Sequence, residues 1–232
     1  MKTELFQDIL HLVFPEFCAA CEKPLYKNEK CICTRCLNEL PKTGFSLDDH
    51  NAVAARFWGK TKIHSAFALY DFDKGEKVQK LLHQFKYKGK REIGLLCGEI
   101  CGQQIEKSES SNNIDYIIPV PLHPSKQRVR GFNQSYSIAQ GINNVLNKEL
   151  LSETLIRKVA TSSQTKKHRY SRYENMKDVF SINNPLQIKN KHILLVDDVI
   201  TTGSTLTSCA ELLIKETDVT ISIASLAFAN NK

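Results

Sequence analysis

One run, residues 193–205, constrains the fold of this 232-residue sequence more than any other stretch. It begins with four apolar residues, continues with the acid pair Asp197 and Asp198, and ends in a hydroxyl-rich loop. The loop consists of Thr201, Thr202, Gly203, Ser204 and Thr205. An uninterrupted apolar run is typical of a central parallel strand, because helices cover both faces of such a sheet. The run therefore predicts a buried strand, a binding turn and the start of a helix.

The acid pair and the loop after it predict a site for a sugar phosphate. Ligands of open α/β sheets bind at the carboxyl ends of the strands, where the side chains of Asp197 and Asp198 would emerge. Ionised carboxylates accept hydrogen bonds from ribose hydroxyls, and a loop that opens a helix offers N–H groups and a positive dipole end to a phosphate. The alternative is an ordinary polar turn, since short motifs produce false matches. The run resembles the phosphoribosyl-diphosphate (PRPP) binding motif of type I phosphoribosyltransferases.

Length and composition favour a cytoplasmic α/β protein with anionic partners. The chain is long enough for one α/β domain and a small accessory module. Its formal charge of +7 favours phosphates or nucleic acid as partners. The sequence lacks the apolar run of about eighteen residues that a membrane span needs, and its charged, amphipathic N-terminus differs from a signal peptide. We therefore expect a cytoplasmic location without membrane insertion.

The spacing of the N-terminal cysteines predicts a structural zinc site. Cys18 and Cys21 form one C-x-x-C pair, and Cys33 and Cys36 form a second. Two such pairs supply the four thiolates of a closed tetrahedral zinc site, and residues 17–41 hold too few apolar side chains for a core of their own. Cys31 is an alternative to Cys33 as a ligand, although the spacing favours Cys33. The other interpretation is a group of free cysteines in a mobile arm.

The sequence divides into two predicted domains. Residues 1–60 comprise an amphipathic helix over 4–13, the zinc ribbon, and a connector over 42–60 that ends with Phe57 and Trp58 packed inward. Residues 61–232 alternate strand and helix patterns. Strands are predicted at 63–72, 115–120, 154–159, 191–197 and 219–228, and helices at 78–89, 93–105, 132–146 and 204–215.

Basic side chains at three places predict anion binding. Prolines 119, 121 and 124 stiffen a loop that carries Arg128 and Arg130 without an intervening acid, and Lys86 lies at the end of the helix over 78–89. Lysines at the C-terminus of a helix also have a simpler explanation, because the negative end of the helix dipole stabilises their positive charge. Between residues 157 and 177, seven basic residues face one acid. This segment includes Lys166, Lys167 and Arg169, and the alternative to a phosphate-binding role is a disordered solvated loop.

Several motifs in this order are similar to those of the ComF family of phosphoribosyltransferase-domain proteins. Besides the four cysteines and the acid pair, they are Phe85–Gly89, Pro119–Pro124, Arg128–Gln134 and the segment from Thr161 to Phe180. The resemblance implies a type I phosphoribosyltransferase-like fold, which is an open, mainly parallel sheet with helices on both faces, plus an N-terminal zinc ribbon. It also implies a role in the uptake of single-stranded DNA beside a competence helicase.

Two functional hypotheses follow. In the first, the protein is an enzyme in which PRPP and Mg²⁺ bind at the acid pair and the 201–205 loop, and a nucleophile displaces diphosphate at the anomeric carbon. The diphosphate would lie near Lys86, Arg128 and Arg130, and the basic segment would close over the site. In the second, the protein is a non-catalytic DNA-uptake factor that uses the same crevice as a PRPP sensor or nucleotide clamp.

Overall fold

The structure is a computed structural model that describes residues 15–73, 76–158 and 179–229. The helix predicted over residues 4–13 lies outside the described residues. The helices are α1 Thr34–Glu39, α2 Ala52–Ala55, α3 Glu76–Tyr87, α4 Arg91–Ile105, α5 Pro124–Arg130, α6 Gln134–Leu146, α7 Pro185–Ile188 and α8 Ser204–Thr217. The strands are β1 Ser65–Asp71, β2 Tyr116–Pro119, β3 Glu149–Leu150, β4 Leu155–Arg157, β5 Phe180–Ile182, β6 His192–Ile200 and β7 Thr220–Phe228. Within this described part, no helix has the length and apolar content to cross a bilayer.

Five strands form a parallel sheet in the order β1-β7-β6-β2-β3. The short strands β4 and β5 pair antiparallel in a separate sheet. Successive residues of β6 alternate between two cores, since Leu194 and Val196 pack with α4 and α6, whereas Ile193 and Leu195 pack with α8. Both faces are therefore covered, which explains the uninterrupted apolar run and confirms the predicted open parallel sheet between helices.

Strand β6 is longer than predicted, and its last third has a neighbour on one side only. The predicted strand ends at Asp197, but pairing with β7 continues to Ile200. Pairing with β2 stops where Pro119 lies opposite Val196, and the N–H of Val120 makes one further bond to Val196. Pro121 then has no N–H to continue the ladder. From Asp197 onward, the edge of β6 that faces away from β7 is open, and a crevice forms there.

The predicted stiff loop carrying Arg128 and Arg130 is wrong, because this stretch forms helix α5. The His123 side chain caps the first turn by accepting from the N–H of Ser125, and Pro124 occupies the first helical position, where a missing N–H is harmless. Gly131 ends the helix with φ of 78°, in the left-handed region. Proline at this position therefore starts a helix instead of preventing one.

Trp58, which was predicted to pack inward, is exposed, and so is Tyr136 of α6. Tyr136 is 38% exposed and Trp58 is 60% exposed, whereas Phe57 is buried as predicted. Tyr136 lies in the first turn of α6, where the inward positions are held by Gln134 and Ser135. The beginning of α6 thus presents polar groups inward, toward the crevice, and only its later turns are apolar on that side.

The connector packs against strand β1. Thr43 donates its N–H to the carbonyl of Leu69 at 3.0 Å, and isolated bridges join Lys42 to Tyr70 and Asp48 to Ala66. Asn51 caps helix α2, which contributes apolar residues to the same core as α8. The predicted domain division at residue 60 stays a prediction.

Candidate functional site

A cleft of about 190 Å³ opens where β6 loses its β2 neighbour. It is lined by Lys86, Val120, Pro121, Leu122, Lys126, Arg130, Asn133, Gln134, Ser135, Arg157, Asp197, Asp198, Val199 and Thr205. A larger cavity of about 290 Å³ lies between β3 and α7 but contains none of the predicted site residues. The smaller cleft is therefore the candidate site, because both carboxylates of the acid pair meet Lys86 and Arg130 there.

Asp197 is held in position by its neighbours. Its Oδ1 accepts a hydrogen bond from the Ser135 hydroxyl at 3.0 Å and another from the N–H of Asp198 at 2.8 Å. Burial, followed by the adjacent Asp198 carboxylate, raises the pKa of Asp197 to about 7, although these two hydrogen bonds act in the opposite direction. The carboxyl is therefore poised between its protonated and ionised forms near neutral pH.

Asp198 faces two cations. Its Oδ2 lies 3.0 Å from Nζ of Lys86 and 4.0 Å from Nη1 of Arg130. Lys86 is in the last turn of α3, and Arg130 is in the last turn of α5. The Arg130 guanidinium also donates to Oε1 of Gln134 at 2.9 Å and lies over the ring of Tyr87 at 5.6 Å. The cleft thus holds an acid pair of which one member is ionically paired and the other is not.

The hydroxyl-rich loop leads from the acid pair into α8. Gly203 has φ of 77°, and an added Cβ would lie 3.1 Å from the Phe57 ring, so this position favours glycine on two counts. The Thr202 and Ser204 hydroxyls are 2.8 Å apart, and Nζ of Lys60 donates to the Thr202 carbonyl at 3.2 Å. Thr201, Thr202, Ser204 and Thr205 are exposed at the N-terminus of a long helix. Exposed hydroxyls at that end suit a phosphate.

The predicted diphosphate-binding residues are only partly brought together. Lys86 and Arg130 line the cleft, but Arg128 is exposed and does not. Arg128 lies two residues before Arg130 in α5 and so points about 160° away from it, whereas Lys126, four residues before, shares the cleft-facing side. Lys166, Lys167 and Arg169 lie outside the described residues.

Three polar residues stand out among the cleft residues that were not assigned to the site from the sequence. Ser135 and Gln134 open α6, and Arg157 ends β4. A signal existed for the first two, because Asn133 is a helix cap directly after the basic run, and polar residues in that first turn lie at the carboxyl end of β2. Arg157 was counted only as the first of the seven basic residues over 157–177, and its place in the cleft depends on the pairing of β4 with β5.

Four cysteine sulfurs form a compact cluster in the ribbon. The Sγ atoms of Cys18, Cys21, Cys33 and Cys36 all lie within 4.8 Å of one another. The N–H of Cys33 donates to Sγ of Cys18 at 3.3 Å, and the N–H of Cys36 donates to Sγ of Cys33 at 3.4 Å. Burial alone would raise the pKa of the Cys18 thiol, but backbone N–H groups, that of Cys33 first, outweigh it and lower the pKa to about 7. The cluster has the ligand type and number that a tetrahedral Zn²⁺ ion requires.

Cys31 lies apart from this cluster. It is 3% exposed and does not belong to the group of four sulfurs. Burial, followed by the nearby Glu92 carboxylate, raises the pKa of its thiol to about 12. Cys97 and Cys101 on α4 are fully buried, as free cysteines in protein cores often are. These three cysteines therefore behave as apolar core residues.

Comparison with known proteins identifies relatives along most of the chain. Residues 132–232 match a family model described as a phosphoribosyl transferase domain. The DNA utilization protein YhgH of Salmonella typhi is 28% identical over 222 residues, which cover 91% of this chain and 96% of that protein. Competence protein F of Haemophilus influenzae is 29% identical over 144 residues, covering 60% of this chain and 63% of the relative. Competence protein ComFC of Bacillus subtilis is 24% identical over 161 residues, covering 68% and 63%.

The matched domain coincides with most of the cleft. It contains the start of α6 with Ser135, the acid pair on β6, and the loop and helix α8 that follow. Lys86 and Arg130 lie before the matched residues.

Proposed function

Because this chain belongs to the ComF family of phosphoribosyltransferase-domain proteins, we propose that its cleft binds PRPP with Mg²⁺ and transfers the phosphoribosyl group to an acceptor in the course of DNA uptake. The observation that carries this proposal is the acid pair on the open edge of β6, followed at once by the Gly203 loop. A ligand that has both a ribose and a 5′-phosphate would contact the acid pair through its ribose and the Gly203 loop through its phosphate. The link to DNA uptake rests on the names of the relatives.

The acid pair would hold the ribose. Asp198 has Lys86 and Arg130 beside it, and its carboxylate oxygens would accept hydrogen bonds from ribose hydroxyls. Asp197 is fixed by Ser135, so its second oxygen stays available to the ligand. The hydroxyls and N–H groups at residues 201–205 would take the 5′-phosphate.

The diphosphate would lie across the cleft from the loop. Lys86, Lys126 and Arg130 line that wall, and each carries a positive charge toward the leaving group. Carboxylate oxygens are the ligands that Mg²⁺ prefers, and the acid pair and the diphosphate oxygens would provide them. When bound, Mg²⁺ neutralises charge on the diphosphate.

The reaction would be a displacement at the anomeric carbon. The bond from C1 to the diphosphate oxygen breaks with its electron pair on the diphosphate, and a lone pair of the acceptor forms the new bond to C1. Positive charge develops on the ribose ring, where the Asp197 and Asp198 carboxylates would offset it. The cations at Lys86 and Arg130 would stabilise the charge on the leaving group.

The cysteine cluster would hold a structural Zn²⁺ ion. We expect one zinc per chain, bound by Cys18, Cys21, Cys33 and Cys36, and we expect the ribbon to lose its fold without the metal. Metal analysis of Cys33→Ser should show that zinc is lost, whereas the matched variant Cys31→Ser should retain it. The reverse result would mean that Cys31 is the ligand.

A second function is favoured by the names of the relatives, which describe DNA utilization and competence and not catalysis. In this alternative, the same cleft is a PRPP sensor or nucleotide clamp in a DNA-uptake factor, with single-stranded DNA and a helicase as partners. Residues of the cleft would bind the ligand in the same way, but no bond at C1 would break.

Titration separates the two functions. PRPP is titrated calorimetrically into the protein with Mg²⁺, and diphosphate release is then followed with and without candidate nucleobases. Binding followed by acceptor-dependent release supports the transferase, and binding without release supports the sensor. A protein that binds neither PRPP nor ribose 5-phosphate would contradict both.

A further inference from the structure

Arg157 is a cation in the cleft that has no anionic partner among the described residues. It ends β4 and lines the cleft, and its guanidinium lies over the Phe180 ring at 5.4 Å. Its Nε is buried and has no hydrogen-bond partner, and across residues 15–73, 76–158 and 179–229 its side chain forms no hydrogen bond or ion pair. A buried N–H group without an acceptor lowers the stability of the free protein.

The proposed PRPP site does not account for Arg157. Lys86 and Arg130 already face Asp198, and with Lys126 they belong to the wall formed by α3 and α5. Arg157 comes from the two-stranded sheet, whose apolar residues pack in the core that also contains α8. The cation therefore stands on a different wall from the cations assigned to the diphosphate.

Gln134 is a second donor left without an acceptor in the same cleft. Its Oε1 accepts from Arg130, and this bond orients the amide so that Nε2 is the free end. Nε2 is buried and has no hydrogen-bond partner in the part of the chain that the structure describes, and the whole residue is 1% exposed. Two unpartnered donors in one cleft point to a ligand that brings acceptors.

We propose that the second ligand of this cleft, the acceptor of the transferred group, carries an anionic substituent that Arg157 binds. The inference rests on the proposed function, because it names the chemical class of that acceptor. A guanidinium presents parallel N–H donors that match the two oxygens of a carboxylate or phosphate. The apolar Phe180 ring keeps the guanidinium in place, so little freedom is lost on binding.

The test uses pairs of ligands that differ in charge. Uracil and orotate, nicotinamide and nicotinate, and phenol and phenyl phosphate are titrated into the full-length protein held with Mg²⁺, ribose 5-phosphate and diphosphate. The first two pairs report on a carboxylate and the third reports on a phosphate. We expect the charged member of at least one pair to bind about tenfold or more tightly than its neutral partner, as for one charged hydrogen-bonded pair.

Arg157→Met is the decisive variant, because methionine keeps an unbranched apolar side chain beside Phe180 but removes the guanidinium group and its charge. The charge preference should disappear, and the melting temperature should stay the same or rise, since a buried N–H group without an acceptor is removed. Lys158→Met is the matched control, because the adjacent residue of an extended segment points to the opposite face. The control should keep the preference.

Three results would overturn the inference. The first is that no charged member binds better than its neutral partner. The second is a preference that survives Arg157→Met. The third is a tenfold loss of PRPP affinity in Arg157→Met, which would place Arg157 at the diphosphate instead. Direct titration of PRPP into the wild-type protein keeps these results separate from a failure of the proposed function, which would show as absent PRPP binding.

Discussion

The polar side chains at the two ends of β6 differ in whether the protein itself supplies their hydrogen-bond partners. At the amino end, the His192 ring bonds the Ser222 hydroxyl at 2.8 Å, and Ser222 bonds Ser65 at 2.7 Å. Asp115 accepts from the N–H of His192 at 2.8 Å and from Nζ of Lys191 at 3.3 Å. Each of these side chains has its partner within the protein, so this end needs no ligand.

At the carboxyl end, the polar groups are left in unfavourable arrangements. Asp197 and Asp198 are adjacent carboxylates, and the pKa of Asp197 is raised to about 7 by burial and by its neighbour. Gln134 and Arg157 each hold a buried nitrogen without a partner. At the amino end of β6 the protein supplies the partners of the polar groups, whereas at the carboxyl end a ligand would supply them.

This difference separates structural from functional polar residues better than residue type does. Both ends contain carboxylates and a basic side chain, and both lie on the central strand of one sheet. Only the carboxyl end combines like charges, burial and orphaned donors, which are typical of sites where stability is given up for binding. Asp115 and the acid pair are thus matched carboxylates with opposite expected roles.

The largest expected effect is the loss of PRPP binding when the acid pair is neutralised. Asparagine keeps the size of aspartate and one acceptor but removes the charge. Each of Asp197→Asn and Asp198→Asn should weaken PRPP binding by about tenfold or more, since a charged hydrogen bond contributes roughly 1.5–3 kcal/mol. The double variant should show almost no PRPP binding in titration calorimetry.

Asp115→Asn is the control for this comparison. It should lower the melting temperature, because Asp115 joins Lys191 to the start of β6, and it should leave PRPP affinity unchanged. If Asp197→Asn and Asp198→Asn instead lower the melting temperature and leave PRPP affinity alone, the acid pair is a structural turn and the ribose site is elsewhere.

Much of the carboxyl end could be predicted from the sequence, because local patterns encode it. The apolar run, Asp197, Asp198 and the Gly203 loop are contiguous, and each step has a local physical meaning. The extension of β6 beyond Asp197 was missed, since two adjacent carboxylates do not fit a buried strand pattern, yet their backbone pairs with β7. The sequence analysis also missed that Arg128 faces away from the cleft. The direction of this side chain can be worked out only once residues 124–130 are known to form a helix.

The amino end could not be predicted, because its partners are far apart in the sequence. Ser65 and Ser222 are 157 residues apart, and neither local pattern marks them as a pair. The place of Arg157 in the cleft was missed for the same reason, since the pairing of β4 with β5 brings it there. Contiguous motifs are readable from sequence, whereas contacts made by sheet topology are not.

The pH dependence of stability should differ in sign between the two ends. At the carboxyl end, the folded pKa of Asp197 is about 7, above its ordinary value of 3.8. Stability from this group is present below pH 4 and is lost as the pH rises through 7. Asp197→Asn should therefore stabilise the protein at pH 8 by on the order of 2 kcal/mol, and the gain should vanish near pH 4. Urea unfolding at both pH values checks this, and an equal effect at both would contradict it.

At the amino end, the shift has the opposite sign. Burial, followed by the nearby His64, lowers the pKa of His192 to about 4 from 6.5. Stability from the neutral ring is present above pH 6.5 and is lost as the pH falls toward 4. His192→Gln cannot titrate, so it should flatten the fall in unfolding free energy between these values by on the order of 2 kcal/mol. A variant with the same slope as the wild type would show that His192 is not responsible.

The smallest expected effect concerns Ser135, which orients Asp197 without carrying charge itself. Its hydroxyl donates to Oδ1 of Asp197 at 3.0 Å, and this bond favours the ionised carboxylate. Ser135→Ala should weaken PRPP binding by about fivefold, since a hydrogen bond of this kind contributes about 1 kcal/mol. It should also move the midpoint of the pH profile of PRPP binding to higher pH, because the pKa of Asp197 rises further without the donor.

Ser137→Ala, two residues further along α6 and equally buried, is the matched control and should change neither the PRPP affinity nor the pH midpoint. If both variants weaken binding equally with no shift in the pH profile, Ser135 supports only the packing of α6, and the two ends of β6 differ less than their hydrogen bonds suggest.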